Sequence, residues 1–134
     1  MGNKTIVICS SMEFIDQIRI WKDLLERNGF QVLTPHMVDH RKAGIGKSKV
    51  SELKRRDSLR HFHRIERSDL VLVLNYGRHG VKNYVGGASF GEIAIAKYLR
   101  KPVFLAYPIP QGMPYTEELE AWRIRIWNGP RPSD

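Results

Sequence analysis

The fold is decided by the run Leu70–Leu74 (LVLVL) and by the turn and helix that follow it at Val85–Ala96 (VGGASFGEIAIA). The first run is apolar throughout, without alternation, which is typical of a strand covered on both faces. Glycines let the second run approach a ligand closely, and a helix N-terminus attracts anions. This order of elements predicts a ligand crevice, with one carboxylate, Glu92, at the helix start.

The same order of strand and helix recurs on both sides of this stretch. Apolar, β-branched runs alternate with segments whose apolar residues recur at helical spacing. Strands are predicted at Thr5–Cys9, Phe30–Thr34 and Pro102–Tyr107, and helices after Ser10, over Val50–Arg67 and from Thr116. We therefore predict an α/β fold: a single doubly wound, flavodoxin- or Rossmann-like domain over residues 1–134, with a mainly parallel sheet of four to five strands.

Two helix starts carry the spacing of a capping box. Ser10 with Glu13 and Ser89 with Glu92 each place a glutamate three residues after a serine. In the second box Ser89 would be the N-cap, and the Glu92 carboxylate would bond back to its own helix. The alternative is that Glu92 acts as a nucleophile or base in the crevice, where a helix N-terminus favours the ionised form.

The composition bounds the cellular setting. The 134 residues include one cysteine, Cys9, which lies in the first predicted strand. We interpret Cys9 as a small buried apolar residue rather than a reactive thiol. A single thiol forms no internal disulfide, so a reducing, cytoplasmic location is favoured. No apolar run reaches the roughly 18 residues of a membrane span, so no membrane partner is expected.

The net charge of +8 is concentrated in residues 36–67, where ten Lys and Arg stand against four Asp and Glu. Such a segment is typical of a nucleic-acid surface. The same charge would also draw phosphorylated small molecules towards a cleft, or form a solvated helix face without a specific partner. Nucleic-acid binding is therefore the third hypothesis for function, and no recognised nucleic-acid motif supports it.

Neither a metal ion nor a cofactor is expected from the motifs. His61 and His63 lie two residues apart, so they face different sides of a helix and do not form a metal site. Gly46–Ser48 (GKS) resembles the end of a P-loop, but Arg41 stands where that pattern needs a glycine. Flavin binding is indicated only by the likeness of the predicted fold to flavodoxin, and by no residue motif.

The run Glu92–Val103 (EIAIAKYLRKPV) resembles the nucleoside 2-deoxyribosyltransferase superfamily. That pattern is Glu-x-Gly-x-Ala, with Lys-Pro-Val beginning nine residues after the Glu. Ala96 and Lys101 match it, and Ala94 stands where the family has Gly. Similar agreement extends over residues 5–107, closest to the deoxynucleotide N-glycosidase branch, and is carried by Ile8–Ser11, Trp21–His36 and Ile65–Val73.

The resemblance implies cleavage or exchange of an N-glycosidic bond, with Glu92 as the nucleophile. The N-glycosidase branch has an Asp where this chain has His61, and Asp57 lies one helical turn earlier as a candidate substitute. Both are candidate catalytic residues, and either of them or His36 would give a proton to the departing base. The candidate substrate-binding residues are Ser10, Ser11, His36, Asn75, Tyr76, Tyr84, Gly87 and Ser89.

The expected partners are a small-molecule nucleoside or nucleotide and further copies of the chain. Members of the resembled family assemble as dimers or larger, and Trp122 and Trp127 would anchor the last helix to the core or to a partner chain. The main alternative is a non-catalytic module of the same fold that binds a nucleotide or another phosphorylated ligand. This chain has His61 in place of the aspartate that the branch carries, and that difference motivates the alternative.

Overall fold

Five parallel strands form one sheet, with helices on both faces. The computed structural model describes residues 3–40 and 44–133. In chain order the elements are β1 (Thr5–Cys9), α1 (Ile15–Arg27), β2 (Gln31–Leu33), α2 (Lys47–Arg67), β3 (Leu70–Val73), α3 (Gly87–Tyr98), β4 (Val103–Leu105), α4 (Thr116–Ala121) and β5 (Arg125–Ile126). The predicted α/β, doubly wound fold is confirmed, and the short β5 completes the sheet beyond the four strands located from sequence.

The strand order is β2-β1-β3-β4-β5, and every neighbouring pair is parallel. The chain places β2 on one side of β1 and β3 on the other, so the order reverses between β1 and β3. A crevice opens at such a reversal, beyond the carboxyl ends of the strands, where ligands bind in open α/β sheets. Here those ends are Cys9 and Val73, which pair in register.

Alternate residues of the central strands feed two separate cores, because side chains of a strand point to opposite faces in turn. Val7 and Cys9 of β1 face α2 and α3. Ile6 and Ile8 face α1 and pack with Trp21. Cys9 is therefore the last residue of its strand on the side that carries α2 and α3.

Both helix starts differ from the capping boxes. Ser11, rather than Ser10, is the cap of the first: its Oγ accepts a hydrogen bond from the Glu13 N–H at 3.2 Å and opens a 3-10 turn that leads into α1. Helix α3 begins at Gly87 after an extended Gly86, so Ser89 is its third residue and not its N-cap. The second capping box is therefore wrong, because the glycine pair lets the helix begin before Ser89.

The two C-terminal tryptophans pack within the protein's own fold. Trp127 is buried against Phe30 and Phe104, and its Nε1 donates a hydrogen bond to the Pro130 carbonyl at 2.8 Å. Trp122 stacks on Phe90, with the ring centroids 5.4 Å apart. Trp127 is thus anchored in the core, and Trp122 is partly buried against it. Among residues 3–40 and 44–133, no helix combines the length and apolar character needed to cross a membrane.

Candidate active site

A cavity of about 310 Å³ lies at the reversal of the strand order. The ends of β1 and β3 border it together with α2, α3 and the chain after β2. It brings together most of the candidate site residues, namely Ser10, Ser11, His36, Asp57, His61, Tyr84, Gly87, Ser89 and Glu92. The ligand crevice predicted from the order of strand and helix is therefore present as a cavity that includes Glu92.

Glu92 is the sixth residue of α3, one turn beyond the helix start. A glutamate at the third position of a helix can reach back to cap it, but one at the sixth position lies past the open N–H groups. No side-chain oxygen caps α3 among the described residues, and Gly86 to Ser89 border the cavity. Glu92 therefore does not cap its own helix, as the capping-box spacing predicted. Its side chain faces the cavity instead.

Three residues from three elements form what we call the buried cluster: Cys9 of β1, His61 of α2 and Glu92 of α3. Their polar atoms all lie within 4.8 Å of one another. Cys9 has no exposed surface and His61 only 3%. The cluster forms because Cys9, the last residue of β1, points to the sheet face that α2 and α3 cover.

Three contacts link the members of the buried cluster and Arg64. The Arg64 guanidinium lies 3.3 Å from His61 Nδ1 and can only donate, so Nδ1 is an acceptor and the ring proton sits on Nε2. That Nε2 lies 3.5 Å from the Cys9 sulfur, and the backbone of Ile8 is a further hydrogen-bond partner of His61. A hydrogen bond from Cys9 favours the ionised form of Glu92.

Burial shifts each member of the cluster towards its neutral form. Desolvation raises the pKa of Glu92 to about 7, although the Cys9 hydrogen bond and the Arg64 charge oppose the rise. Desolvation, assisted by the Arg64 charge, lowers the pKa of His61 to about 4. The pKa of the Cys9 thiol is raised by desolvation and then by the neighbouring Glu92. At pH 7 the imidazole and the thiol are neutral and Glu92 is near its midpoint.

A second group of residues, the outer cluster, consists of His36, His40 and Asp57. The Asp57 Oδ2 atom lies 2.9 Å from His40 Nε2 and 3.5 Å from His36 Nδ1. Burial raises the pKa of Asp57, but the hydrogen bonds and charges of the two imidazoles outweigh it, so the pKa is lowered overall. All three residues line the same cavity as Glu92.

A small hairpin carries Arg78 to the cavity. Arg78 and Val81 exchange backbone hydrogen bonds of 3.1 and 2.9 Å across a two-residue turn. His79 and Gly80 in that turn have positive φ angles of 53° and 74°, as a type I′ turn requires. The Arg78 guanidinium donates to Ser11 Oγ at 3.0 Å. The loop after β3 is therefore tied to the start of the first helical turn across the crevice.

Two candidate substrate-binding residues, Asn75 and Tyr76, are not brought to the cavity. The buried Asn75 side-chain amide donates to the Tyr107 carbonyl at 2.9 Å and accepts from the Tyr107 N–H at 2.9 Å. The Tyr76 hydroxyl accepts a hydrogen bond from Trp21 Nε1 at 2.8 Å. Asn75 therefore joins two loops, and Tyr76 joins its loop to α1. Both roles are structural.

Lys101, which carries part of the family resemblance, also has a structural role. Its Nζ donates to the Glu66 carbonyl at 3.0 Å and to the Ser68 carbonyl at 2.8 Å. These carbonyls end α2, where a cation is favourable. Since α2 carries both His61 and Asp57, this contact fixes the helix that supplies a member to each cluster.

Sequence reasoning missed Cys9, His40, Lys54 and Arg78. Cys9 was interpreted as a core residue, yet the alternation along β1 already places it on the side of α2 and α3. His40 follows His36 at a spacing of four residues, a signal that only the fold connects with Asp57. Lys54 and Arg78 line the cavity and add positive charge to it. No local pattern marks either of them.

The chain's own geometry carries the argument for function. Comparison of the chain with protein-family models and with curated proteins gives no match. The resemblance to nucleoside 2-deoxyribosyltransferases therefore stays a proposal, and the cavity residues have to support it by their chemistry.

Proposed function

We propose that this protein cleaves or exchanges the N-glycosidic bond of a nucleoside or nucleotide, with Glu92 as the nucleophile. One observation carries the proposal: Glu92 does not cap its helix and instead borders a cavity at the point where the strand order reverses. Ser10, Ser11 and Ser89 line the same cavity. Hydroxyls of this kind suit the oxygens of a sugar.

The reaction would proceed in two displacements. A Glu92 oxygen bonds to the anomeric carbon while the bond from that carbon to the base nitrogen breaks, and the base leaves with the electron pair and takes up a proton. Water, or a second base, then attacks the same carbon and releases the Glu92 carboxylate. Water gives hydrolysis to free sugar, and a second base gives transfer. Tyr84 borders the cavity and would stack on the base.

The proton for the departing base would come from His36. His61 has a pKa of about 4, so it carries no spare proton near neutral pH. Asp57 has a lowered pKa, so it is ionised there as well. His36 borders the cavity with a side chain that is 46% exposed, so it can exchange protons with solvent.

The test is to incubate the protein with deoxynucleosides and their 5′-monophosphates and to measure free base by chromatography. The native protein should release base, and Glu92→Gln should lower the rate at least about 1000-fold. Glu120→Gln, an exposed residue of α4, is the matched control and should act as the native protein does. Absence of release from every substrate, or equal rates in native protein and Glu92→Gln, would overturn the proposal.

The pH profile separates two roles for Glu92. An attacking carboxylate must be ionised, so kcat/KM should rise as pH increases towards about 7, the pKa of Glu92, until loss of the proton that the departing base needs lowers it again. A general acid must be protonated, so kcat/KM would fall over the same range. A rising profile supports the nucleophile, and a falling one would reassign Glu92 as the proton donor.

A second candidate function is binding without turnover of a nucleotide or another phosphorylated ligand. The positive side chains of Lys54 and Arg78 line the cavity beside the open first turn of α3, a combination that suits a phosphate. A thermal-shift screen with deoxynucleoside monophosphates would then show stabilisation. Chromatography of the same samples would return the ligand unchanged.

The third candidate, nucleic-acid binding through residues 36–67, is supported by the exposed basic face of α2. This face includes Lys47, Lys49, Lys54, Arg55, Arg56 and Arg60. Arg41 and Lys42, which add to the charge of the segment, lie outside the described residues. Affinity for nucleic acid should fall steeply with salt and should be lost when Arg55, Arg56 and Arg60 are changed to Glu.

Assembly into a homo-oligomer and a cytoplasmic location belong to the same proposal. The resemblance supports assembly, and exposed apolar side chains are available for it, with Tyr98 at 86% and Leu59 at 54% exposure. Light scattering coupled to size exclusion measures the mass directly. The single thiol of Cys9 supports a reducing compartment.

A further inference from the structure

We propose that His36, His40 and Asp57 form a binding site for one divalent transition-metal ion of the Zn²⁺ class, open towards the cavity. This inference does not rest on the proposed function, because an ion bound here would make His36 a ligand in place of its role as proton donor to the base. It also departs from the sequence-based expectation that the chain holds no metal. Two imidazoles and one carboxylate are a donor set that zinc and its neighbours prefer. Sites with three protein ligands of this kind keep a further position for water or substrate.

The distances between the donor atoms fit such an ion. With bonds of roughly 2.0–2.1 Å, the ligand atoms of a tetrahedral zinc ion lie about 3.3 Å apart. Asp57 Oδ2 lies 2.9 Å from His40 Nε2 and 3.5 Å from His36 Nδ1, which bracket that value. All three donor atoms fall within 4.8 Å of one another. The metal ion would take the place of the protons that now join the carboxylate to the imidazoles.

The free oxygen of Asp57 is a second observation. Among the described residues, Asp57 Oδ1 is buried without a hydrogen-bond partner, and Arg56 Nε lies 3.7 Å from it. A buried carboxylate oxygen that its present partners leave unsatisfied is a suitable additional contact for a bound cation. Because all three residues line the cavity, an ion bound among them borders it, and its remaining positions suit an oxygen ligand such as phosphate.

The buried cluster is the competing location, since Cys9, His61 and Glu92 are equally close to one another. Its imidazole and thiol are held neutral by burial, and a metal ion would have to displace the contacts that His61 makes with Arg64 and Cys9. The outer cluster has an ionised carboxylate and a solvent-exposed histidine. These differences favour the outer cluster.

The test titrates chelator-treated full-length protein with Co²⁺, followed by its visible absorption, and with Zn²⁺, followed by calorimetry. One equivalent should bind, and His40→Gln and Asp57→Asn should each weaken binding at least tenfold. His63→Gln, an exposed histidine of the same helix, is the control and should bind as the native protein does. Arg56→Gln, which removes the neighbouring cation, should tighten binding a few-fold. Circular dichroism checks that each variant is folded.

Three results would overturn the proposal. The first is no one-to-one binding by the native protein. The second is equal affinity in His40→Gln, Asp57→Asn and native protein. The third is an intense near-ultraviolet charge-transfer band that disappears in Cys9→Ser, which would locate the ion at the buried cluster. Inorganic phosphate should alter the visible Co²⁺ spectrum, and an unchanged spectrum would contradict an open position that faces the cavity.

Discussion

The buried and outer clusters place the same kinds of groups, carboxylates and imidazoles, on one cavity with opposite electrostatic outcomes. In the buried cluster the pKa of the carboxyl rises to about 7 and that of the imidazole falls to about 4. In the outer cluster the pKa of the carboxyl falls, although burial opposes the change. The difference lies in access to water and in the number of donors that face the carboxylate.

This contrast teaches that residue type alone does not set the role of a titratable group. Glu92 meets one thiol donor and an apolar surround, so its neutral form competes with its charged form. Asp57 meets two imidazoles at the open side of the cavity, so its charge is compensated. Two carboxyl groups whose pKa values are pushed apart are a common arrangement where one group must exchange a proton and the other must stay ionised.

The largest effect is expected from removing the titrating carboxyl of the buried cluster. The pKa of Glu92 is raised in the folded state, so its stabilising neutral form is complete below about pH 4.5 and lost as pH rises through about 7. The Glu92 titration should cost about 3 kcal/mol of unfolding free energy across that window, so native protein should lose that much relative to Glu92→Gln. Urea unfolding at a series of pH values measures the difference, with Glu120→Gln as control. A difference that stays constant with pH would contradict the raised pKa.

His61→Gln should give a difference of comparable size and opposite sign. The pKa of His61 is lowered when folded, so its contribution is complete above about pH 6.5 and lost as pH falls through about 4. As pH falls from 6.5 to 4, native protein should lose about 3 kcal/mol of unfolding free energy relative to the variant, which does not titrate there. His63→Gln on the exposed face of α2 is the control. In native protein the two slopes oppose one another, so stability should be nearly flat from about pH 4.5 to 6.5 with respect to these groups.

A smaller effect should follow from Lys101→Met, which loosens the helix that both clusters share. The substitution removes a cation bonded to two carbonyls at the end of α2, and we expect a loss of about 1 kcal/mol. Chemical denaturation measures it, and Lys97→Met, an exposed residue of α3, is the control. Equal stability of the two variants would show that α2 is held by its apolar face alone.

The smallest effect is expected from Asp57→Asn. The pKa of Asp57 is lowered when folded, so its contribution is present above about pH 4 and lost as pH falls further. Because the carboxylate is 20% exposed and screened by solvent, we expect a cost of less than about 1 kcal/mol at pH 7. Added salt should reduce that cost. A loss of several kcal/mol that persists at acid pH would mean that the outer cluster is buried as tightly as its neighbour.

Most of the fold follows from local patterns. The unbroken apolar run at Leu70–Leu74 predicts a central strand, and that strand lies in the middle of the sheet with both faces covered. The two-residue β5 escaped prediction, because Arg125 and Ile126 are both exposed and so carry no periodicity. The structure begins its helices at other residues than the capping boxes predict. The serine–glutamate spacing reflects capping chemistry alone, whereas the conformational freedom of glycine also decides where a helix begins.

The candidate site was predictable where it depends on strand ends and was not where it depends on side-chain direction. Ser10 and Ser11 directly follow β1, and Glu92 lies in the first turns of the helix that follows β3, so parallel topology brings them together. Asn75 also follows a strand, but its amide turns inwards to join two loops, which no sequence pattern reveals. Cys9 was placed in the core correctly, yet its proximity to Glu92 depends on how α2 and α3 cross β1.

The Arg64 contact has a consequence for where a proton on Glu92 can go. The Arg64 guanidinium has no lone pair, so a proton that Glu92 passed inwards could not travel beyond His61. Glu92 also borders the cavity. Its proton is therefore exchanged with whatever occupies the cavity.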